Sequence, residues 1–595
     1  MEKTPATEAA EEAAETRHTL VTASDELPEV VATLKKAEAV GADIETTGLS
    51  PRHSRVRLLQ LATPDETFIV DLFAVDIDGI EPLRGILEGG PVKVLHNAKF
   101  DYAFLFELYG VRLAPVFDTM LADQILSGGN HEGRSYALDA VAERYLDEEV
   151  SKEEQRTDWS GELSERQLEY AARDARILLP LYEKLRADLE AQKLKLVGRI
   201  EFGAVGPLAE MELAGIKLDV AKWKELEVVV RERRDLAAGK LESYFPEPEG
   251  MLPLEGIGPS LNLNSPKQIT DAFKSLGIDL PDTKVWTLLK VEHPAAKALL
   301  HYRELQKKLG TYLETYPKYI DEKTGRIHAS FLQCRVPTGR LACTNPNVQQ
   351  IPNEDEFRSC FVAEGGSTLV IADYSQIELR ILAEVSEDPE FVRAFNEGED
   401  LHKLTASTMY SIPMESVTKE QRTDAKRINF GLMYGRGAKS LSAQLGTDEA
   451  RGRKLIAEYF ANYPKVQQLL HETADRATKE RTLRTLAGRV RKFRNPDEMG
   501  KQDRGALRRE AMNYPIQGAS ADIAKLALIY INKALRPTEA RLINSIHDEF
   551  VIECPEEIAP EISEKVKQAM TFAGEKLLKK VPVEVEVMTS TEWRK

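Results

Sequence analysis

The stretch TLVIADYSQIELR, residues 368–380, changes from apolar strand to helix at Asp373. Leu369 to Ala372 read as a buried strand and IELRILAEV as the helix that follows, so the Asp373 carboxylate stands at a strand end, where it can face a cleft. A lone aspartate there is usually a cap. A second acid changes the reading: ARLINSI (540–546) and EFVIEC (549–554) are apolar strands separated only by His547 and Asp548, which puts Asp548 at the tip of a tight hairpin. Two such acids can form a two-metal clamp for in-line phosphoryl transfer.

Between them, RTDAKRINFGLMYG (422–435) repeats every four residues: Arg422, Lys426, Phe430, then Tyr434 before Gly435. Drifting about 40° per step, these share one helical face. Cations suit a triphosphate and a ring suits a base or sugar. Working toward the N-terminus, AVGADIE (39–45), VRLLQLA (56–62), ETFIVDLF (66–73) and VKVLHNA (92–98) read as short strands, with a turn at Thr63-Pro64-Asp65. Helical periodicity over 100–126 and 163–192 makes this first domain α/β, ending near residue 195. Asp43 and Glu45 lie two apart on one strand and leave the same face. Asp101 follows Asn97 by four, and Tyr170 and Asp174 share a helix face. Oxygen ligands of this kind suit hard divalent cations that activate water for phosphodiester hydrolysis.

The set Asp43, Glu45, Asp101, Tyr170 and Asp174, in that order, resembles the DEDD exonucleases of the tyrosine-containing subtype, over roughly residues 20–195. The resemblance implies an RNase H-like fold, 3′-5′ exonuclease activity, the four acids as metal ligands and Tyr170 as the group that orients water. DYSQIELR, R-x3-K-x3-F-G-x2-Y-G and HDE, in that order, resemble the palm and fingers motifs of family A DNA polymerases. That resemblance implies a right-hand polymerase of thumb, palm and fingers that extends a primer on template DNA with dNTPs. Asp373 and Asp548 would hold the metals. Arg422, Lys426 and His402 (in DLHKLTA) would take the phosphates, Lys426 counting also among the catalytic residues. Phe430 and Tyr434 would frame the nascent pair, and Glu378 would exclude a ribose 2′-hydroxyl. TGRLACTNPNVQQIP implies that Arg340 contacts the primer terminus, and NYPIQGASADI that Arg509, Asn513 and Gln517 contact DNA, with His547 beside Asp548 another DNA contact. The cofactor implied is Mg²⁺, two ions per site, with Mn²⁺ as an alternative. Ala342-Cys343 replaces a usual pair of serines, and Gln350 stands where Asn is common.

The 595 residues leave room for several cores. The organisation expected is an acidic disordered arm over 1–20, an exonuclease domain over 21–195, a linker and helical thumb over 196–330 with a Pro/Gly/Asn-rich loop from Pro246 to Pro266, palm over 331–385, fingers over 386–535 and palm again over 536–595. Only the short arm precedes the exonuclease, a Klenow-like arrangement. The net charge is −17, yet residues 476–509 hold twelve bases and four acids, a basic stripe able to track a phosphate backbone. Four cysteines show no metal-ligand spacing, and neither an apolar run near the roughly 18 residues of a membrane span nor a signal peptide is present. The expectation is a cytoplasmic monomer that uses no membrane. A single-subunit RNA polymerase is the rival of like chemistry, disfavoured by Glu378; a DNA-binding scaffold with a dead palm is disfavoured by intact Asp373, Asp548 and Lys426. A pure exonuclease with a clamp is the third.

Overall fold

A computed structural model describes residues 18–75, 80–148, 154, 157–245 and 261–594. The acidic arm up to residue 17, and residues 246–260 of the Pro/Gly/Asn-rich loop, lie outside them. The chain divides into two compact units: the first runs up to Ala214 and takes in Phe331–Thr344 and Val370–Thr589; the second comprises Gly215–Ser330, Asn345–Leu369 and Ser590–Lys595.

The first unit opens with a mixed six-stranded sheet of β1 (His18–Val21), β2 (Ala39–Thr46), β3 (Val56–Ala62), β4 (Thr67–Asp71), β5 (Val92–Leu95) and β6 (Val116–Asp118), in the order β1-β4-β3-β2-β5-β6. The antiparallel pairs are β2 with β3 and β3 with β4; the rest are parallel. Helices α1 (Leu27–Leu34), α2 (Glu81–Leu87), α3 (Ala98–Tyr109), α4 (Thr119–Leu126), α5 (Leu138–Leu146), α6 (Glu165–Ala191) and α7 (Lys195–Ala214) complete it. A reciprocal cap of Ser164 and Gln167 starts α6, which then lies across β2, β3, β4 and β5.

Two sequence expectations are corrected here. His18–Val21 is strand, paired in register with Thr67–Val70, so residues 18–20 belong to the sheet and not to an arm. The helical stretch expected over 100–126 is two helices parted by β6, because Gly110 in the left-handed region (φ 66°) ends α3 and Asp118 starts α4 by accepting from the Leu121 amide at 3.0 Å.

Further along this unit, β9 (Ser330–Leu332) pairs with β10 (Ala342–Thr344), and β12 (Ser367–Tyr374), β15 (Arg541–Ile546), β16 (Glu549–Pro555) and β17 (Val585–Ser590) form a sheet in the order β15-β16-β12-β17. Between β12 and β15 the chain is largely helical, as expected: α11 (Ile377–Ser386), α12 (Leu401–Tyr410), α13 (Lys419–Met433) and the 35-residue α14 (Lys501–Leu535), plus the small hairpin β13 (Thr482–Arg484) and β14 (Val490–Lys492). Helix α15 (Ala559–Leu577) packs along α14.

In the second unit, β7 (Ile216–Leu218), β8 (Arg326–Ile327) and β11 (Phe361–Val362) form an antiparallel sheet beside α8 (Val220–Glu242), α9 (Pro266–Ser275) and α10 (Pro294–Lys307). Fully buried Trp223 is its centre, stacked on Tyr316 at 5.9 Å and edge-on to Phe361, with its Nε1 donating to Leu313 O at 3.0 Å. The boundary drawn at 195 is therefore displaced: α7 carries a nearly continuous apolar face that packs on α3 and α14 of the first unit, whereas 345–369 belongs with the second.

Candidate active sites

In the first site, Asp43 and Glu45 leave the same face of β2, opposite Gln60 and Leu58 of β3. Helix α6 comes onto this strand at Gly41, where a Cβ would run into the Ala175 carbonyl oxygen. That close approach sets Asp174 beside Asp43. Asp101, in the first turn of α3, is buried, and its Oδ1 has no hydrogen-bond partner. All four acids and Tyr170 line one cleft of about 1030 Å³.

The carboxyl groups act strongly on one another. Burial, then the charge of Asp174, pushes the Asp43 carboxyl up to about 8, and burial, then Asp43, Asp174 and Asp101, pushes Glu45 up to about 10. Burial, then Asp43, raises Asp101 well above the usual carboxylate range. Burial raises Asp174 to about 6 against a hydrogen bond from Tyr170, whose own phenol is held up by burial and by Asp174. An all-oxygen donor set under mutual repulsion, with a buried carboxylate oxygen on Asp101 and another on Asp174 that accept no hydrogen bond, fits hard dications. In this conformation no three Asp, Glu, His or Cys groups among the described residues are gathered tightly enough to hold an ion, so the acids ring the cleft instead of gripping one point.

Sequence reasoning missed the supports. Buried Asp118 accepts from the Ala98 amide at 2.8 Å as well as from Leu121, tying the start of α3 to that of α4; its only sequence signal is the cap position in FDT. His96, half-buried in the cleft wall, is held between Thr119 Oγ1 (2.9 Å) and Tyr136 O (3.0 Å), and desolvation drives its pKa down to about 4, so it is a neutral strut.

In the second site, the hairpin expectation holds: β15 and β16 are joined through His547, in the left-handed region (φ 58°), and Asp548. Strand β16 lies next to β12, and the Tyr374 amide donates to Asp548 O at 3.4 Å, which sets Asp373 and Asp548 on adjacent strand ends. Helix α13 begins with a Thr418–Gln421 reciprocal cap and carries Arg422, Lys426 and Phe430, with Tyr434 as its C-cap residue. Phe430 and Tyr434 stack at 6.4 Å and 20°, and the His402 ring lies 5.9 Å from Phe430. The Tyr434 hydroxyl donates to Glu378 Oε2 on α11, and Arg340 pairs with Glu378 Oε1. The Gln517 side chain lies near the Tyr434 hydroxyl, and Arg509 packs against Gly435, whose left-handed φ of 67° turns the chain off α13. Asn513, on the same helix α14, keeps a buried Oδ1 without a hydrogen-bond partner. Exposed His547 precedes Asp548 at the hairpin tip.

Two anchors had no functional signal in the sequence. Asp400 caps α12 through the His402 and Lys403 amides and holds Arg422 Nε at 2.7 Å. Asn429 meets His402 Nδ1 at 3.0 Å; burial drives this imidazole to about 4, so it is neutral at pH 7.

A mixed sheet ringed by four acids and a palm-like sheet with two strand-end acids are the parts of a nucleic-acid polymerase with an editing nuclease. The profile described as DNA polymerase family A matches residues 253–595 and that of 3′-5′ exonuclease matches 18–190, and the chain belongs to DNA polymerase family A. It is a DNA-directed DNA polymerase with a 3′-5′ exonuclease. It is 33% identical over 615 residues to DNA polymerase I of Aquifex aeolicus, covering 97% of this chain and 99% of that one. It is 32% identical to DNA polymerase I of Chloroflexus aurantiacus, of whose length it spans 63%. Among solved structures, the POL domain of Pol1 from M. smegmatis, in complex with DNA primer-template and dNTP, matches with a TM-score of 0.83 at 30% identity, covering 97% of this chain and 99% of that one. Both families generally use divalent metals. No helix among the described residues is long and apolar enough to cross a membrane.

Proposed function

We propose that the chain binds primer-template DNA and dNTPs, extends the primer at the Asp373–Asp548 site and removes misplaced 3′ nucleotides at the Asp43–Glu45–Asp101–Asp174 site, in DNA replication or repair. The observation that carries this is the convergence on Glu378. Tyr434 from the end of α13 and Arg340 from the 331–344 segment both grip it, five residues beyond Asp373.

Mg²⁺ held by the two acids of the one site and the four of the other would supply Lewis acidity, favouring a primer hydroxyl as nucleophile in the first and a water in the second. The chain's own groups do the placing. Exposed Lys426 and the Asp400-anchored Arg422 present positive charge to a triphosphate on one helical face, and neutral His402, fixed by Asn429, offers a hydrogen bond there. The Phe430–Tyr434 stack offers an apolar wall to the incoming base and sugar. Glu378, buried and doubly held, occupies the space a 2′-hydroxyl would need. Arg340, Arg509, Asn513, Gln517 and His547 take the DNA. In the exonuclease cleft, Tyr170 orients the water that Asp174 helps to hold. A monomer in the cytoplasm suits this reading.

The test is separation of the two activities. Asp43→Ala with Glu45→Ala should abolish degradation of a labelled 3′ end in Mg²⁺ and leave primer extension near the parental rate, whereas Asp548→Asn should lower extension by at least a hundredfold, since it removes a charged ligand from the clamp. Extension by Asp548→Asn within about tenfold of the parent would remove that residue from the mechanism.

A further inference from the structure

The substrate of the editing cleft is a polyanion, yet four carboxylates ring its floor, so the strand must be held by cations nearer the rim. Three Lys or Arg residues line the cleft: Lys99, Arg134 and Arg335. The first two are committed, Lys99 to Glu212 and Arg134 to buried Asp123. Arg335 is exposed and neither ion-pairs nor hydrogen-bonds with a described residue. It stands in a cationic neighbourhood. Beyond burial, the charges of Arg335, Arg491 and Arg134 all hold His131 below its ordinary pKa, and His131 Nδ1 lies 2.6 Å from the hydroxyl of Tyr136, another residue of the cleft wall. Arg491 is itself engaged, to Glu510 at 2.9 Å and to Asn130 Oδ1 at 3.0 Å.

The segment bearing Arg335 is fixed on either side. Gln333 donates to Glu201 O at 2.9 Å and its carbonyl accepts from Lys525 at 2.8 Å, while Pro337 lies against Gly129. Five residues further, Arg340 holds Glu378 in the polymerase site, a reach of at most about 18 Å of extended chain. One rigid strap thus presents one arginine to each site, and only the one at the editing cleft is uncommitted.

We propose that Arg335 binds a backbone phosphate of the single-stranded primer end as it enters the exonuclease cleft, and so sets the affinity of the editing site for frayed DNA. This rests on the exonuclease reading above. The contact is to phosphate, so it carries no base preference and weakens with salt.

The experiment measures 3′-end hydrolysis of a labelled single-stranded oligonucleotide by the full chain in Mg²⁺, with KM and kcat determined at several salt concentrations, for the parent, Arg335→Ala and Arg335→Lys. Arg335→Ala should raise KM about threefold to tenfold while kcat stays within about twofold, and the slope of log affinity against log salt should become shallower by about 0.7, the share of one phosphate on a single strand. Arg335→Lys, keeping the charge, should recover most of both. An unchanged KM and slope in Arg335→Ala, or a loss that Arg335→Lys fails to recover, overturns the proposal. A parent without hydrolysis overturns the exonuclease reading itself, which separates the two failures.

Discussion

Phe430 lies between the His402 ring and Tyr434, on the face of α13 that also presents Arg422 and Lys426. In the proposed placement of the sugar against this ring, a phenylalanine gives it no polar partner, so a nucleotide lacking its 3′-hydroxyl would lose a group that nothing on the protein replaces. In Phe430→Tyr the added hydroxyl can supply that contact, worth about 1–3 kcal/mol in a desolvated site. Dideoxynucleotide acceptance should rise at least tenfold in a competition assay with the exonuclease inactivated; an unchanged dideoxy-to-deoxy ratio would take Phe430 away from the sugar. Asp43 supports a pH prediction of the same grain. The folded protein keeps its proton up to about pH 8, against 3.8 for the ordinary group. Across that window the native state binds more protons than the unfolded chain, so metal-free stability falls as the pH rises through it. Asp43→Asn removes this penalty. In EDTA its melting temperature should match the parent's near about pH 4 and exceed it by several degrees near about pH 9, with Mg²⁺ shrinking the gap; a gap equal at both pH values would sink the assignment.

At the scale of elements, the editing site depends on how closely one helix rests on one strand. Because a Cβ on residue 41 would strike the Ala175 carbonyl, Gly41→Ala must push α6 away from β2 and carry Tyr170 and Asp174 with it. Overpacking of this kind costs about 1–3 kcal/mol, and a misplacement of about 1 Å at a metal ligand can cost roughly a hundredfold in rate. Exonuclease activity should fall by at least tenfold while primer extension persists. If editing is unimpaired in the purified variant, the α6–β2 approach does not place Asp174.

Across the whole of the first unit, a buried ion cluster joins elements far apart in the chain. Arg489, between β13 and β14, meets Glu201 of α7 and Asp522 of α14, and Lys525 of α14 meets the same Glu201 at 2.6 Å. All four side chains are buried, and their charges cancel. Removing one cation leaves a carboxylate uncompensated, at a cost of about 3–5 kcal/mol. Arg489→Met should therefore lower the melting temperature and shorten the heat-inactivation half-lives of editing and of extension together. Loss of one activity alone would mean that α7 and α14 do not share a cooperative unit.

The amino-acid sequence alone determined what is local and periodic. The strand ending at Asp373, the hairpin that lifts Asp548, the four-residue period from Arg422 to Phe430, and the strands bearing Asp43 and Glu45 are all written in neighbouring residues, because backbone period and turn chemistry act over a few positions. Tertiary structure decided the rest. Strand β1 becomes part of the sheet only by pairing with β4, and β6 is too short, at three residues, to show a period of its own. Gly41 matters because α6 returns to it from far along the chain. The assignment of α7 to the first unit, the partners of Glu201 and the placing of Arg335 at the editing cleft follow from packing between distant segments. Sequence spacing carries no record of such contacts, since they are selected by burial and charge compensation once the chain has closed on itself.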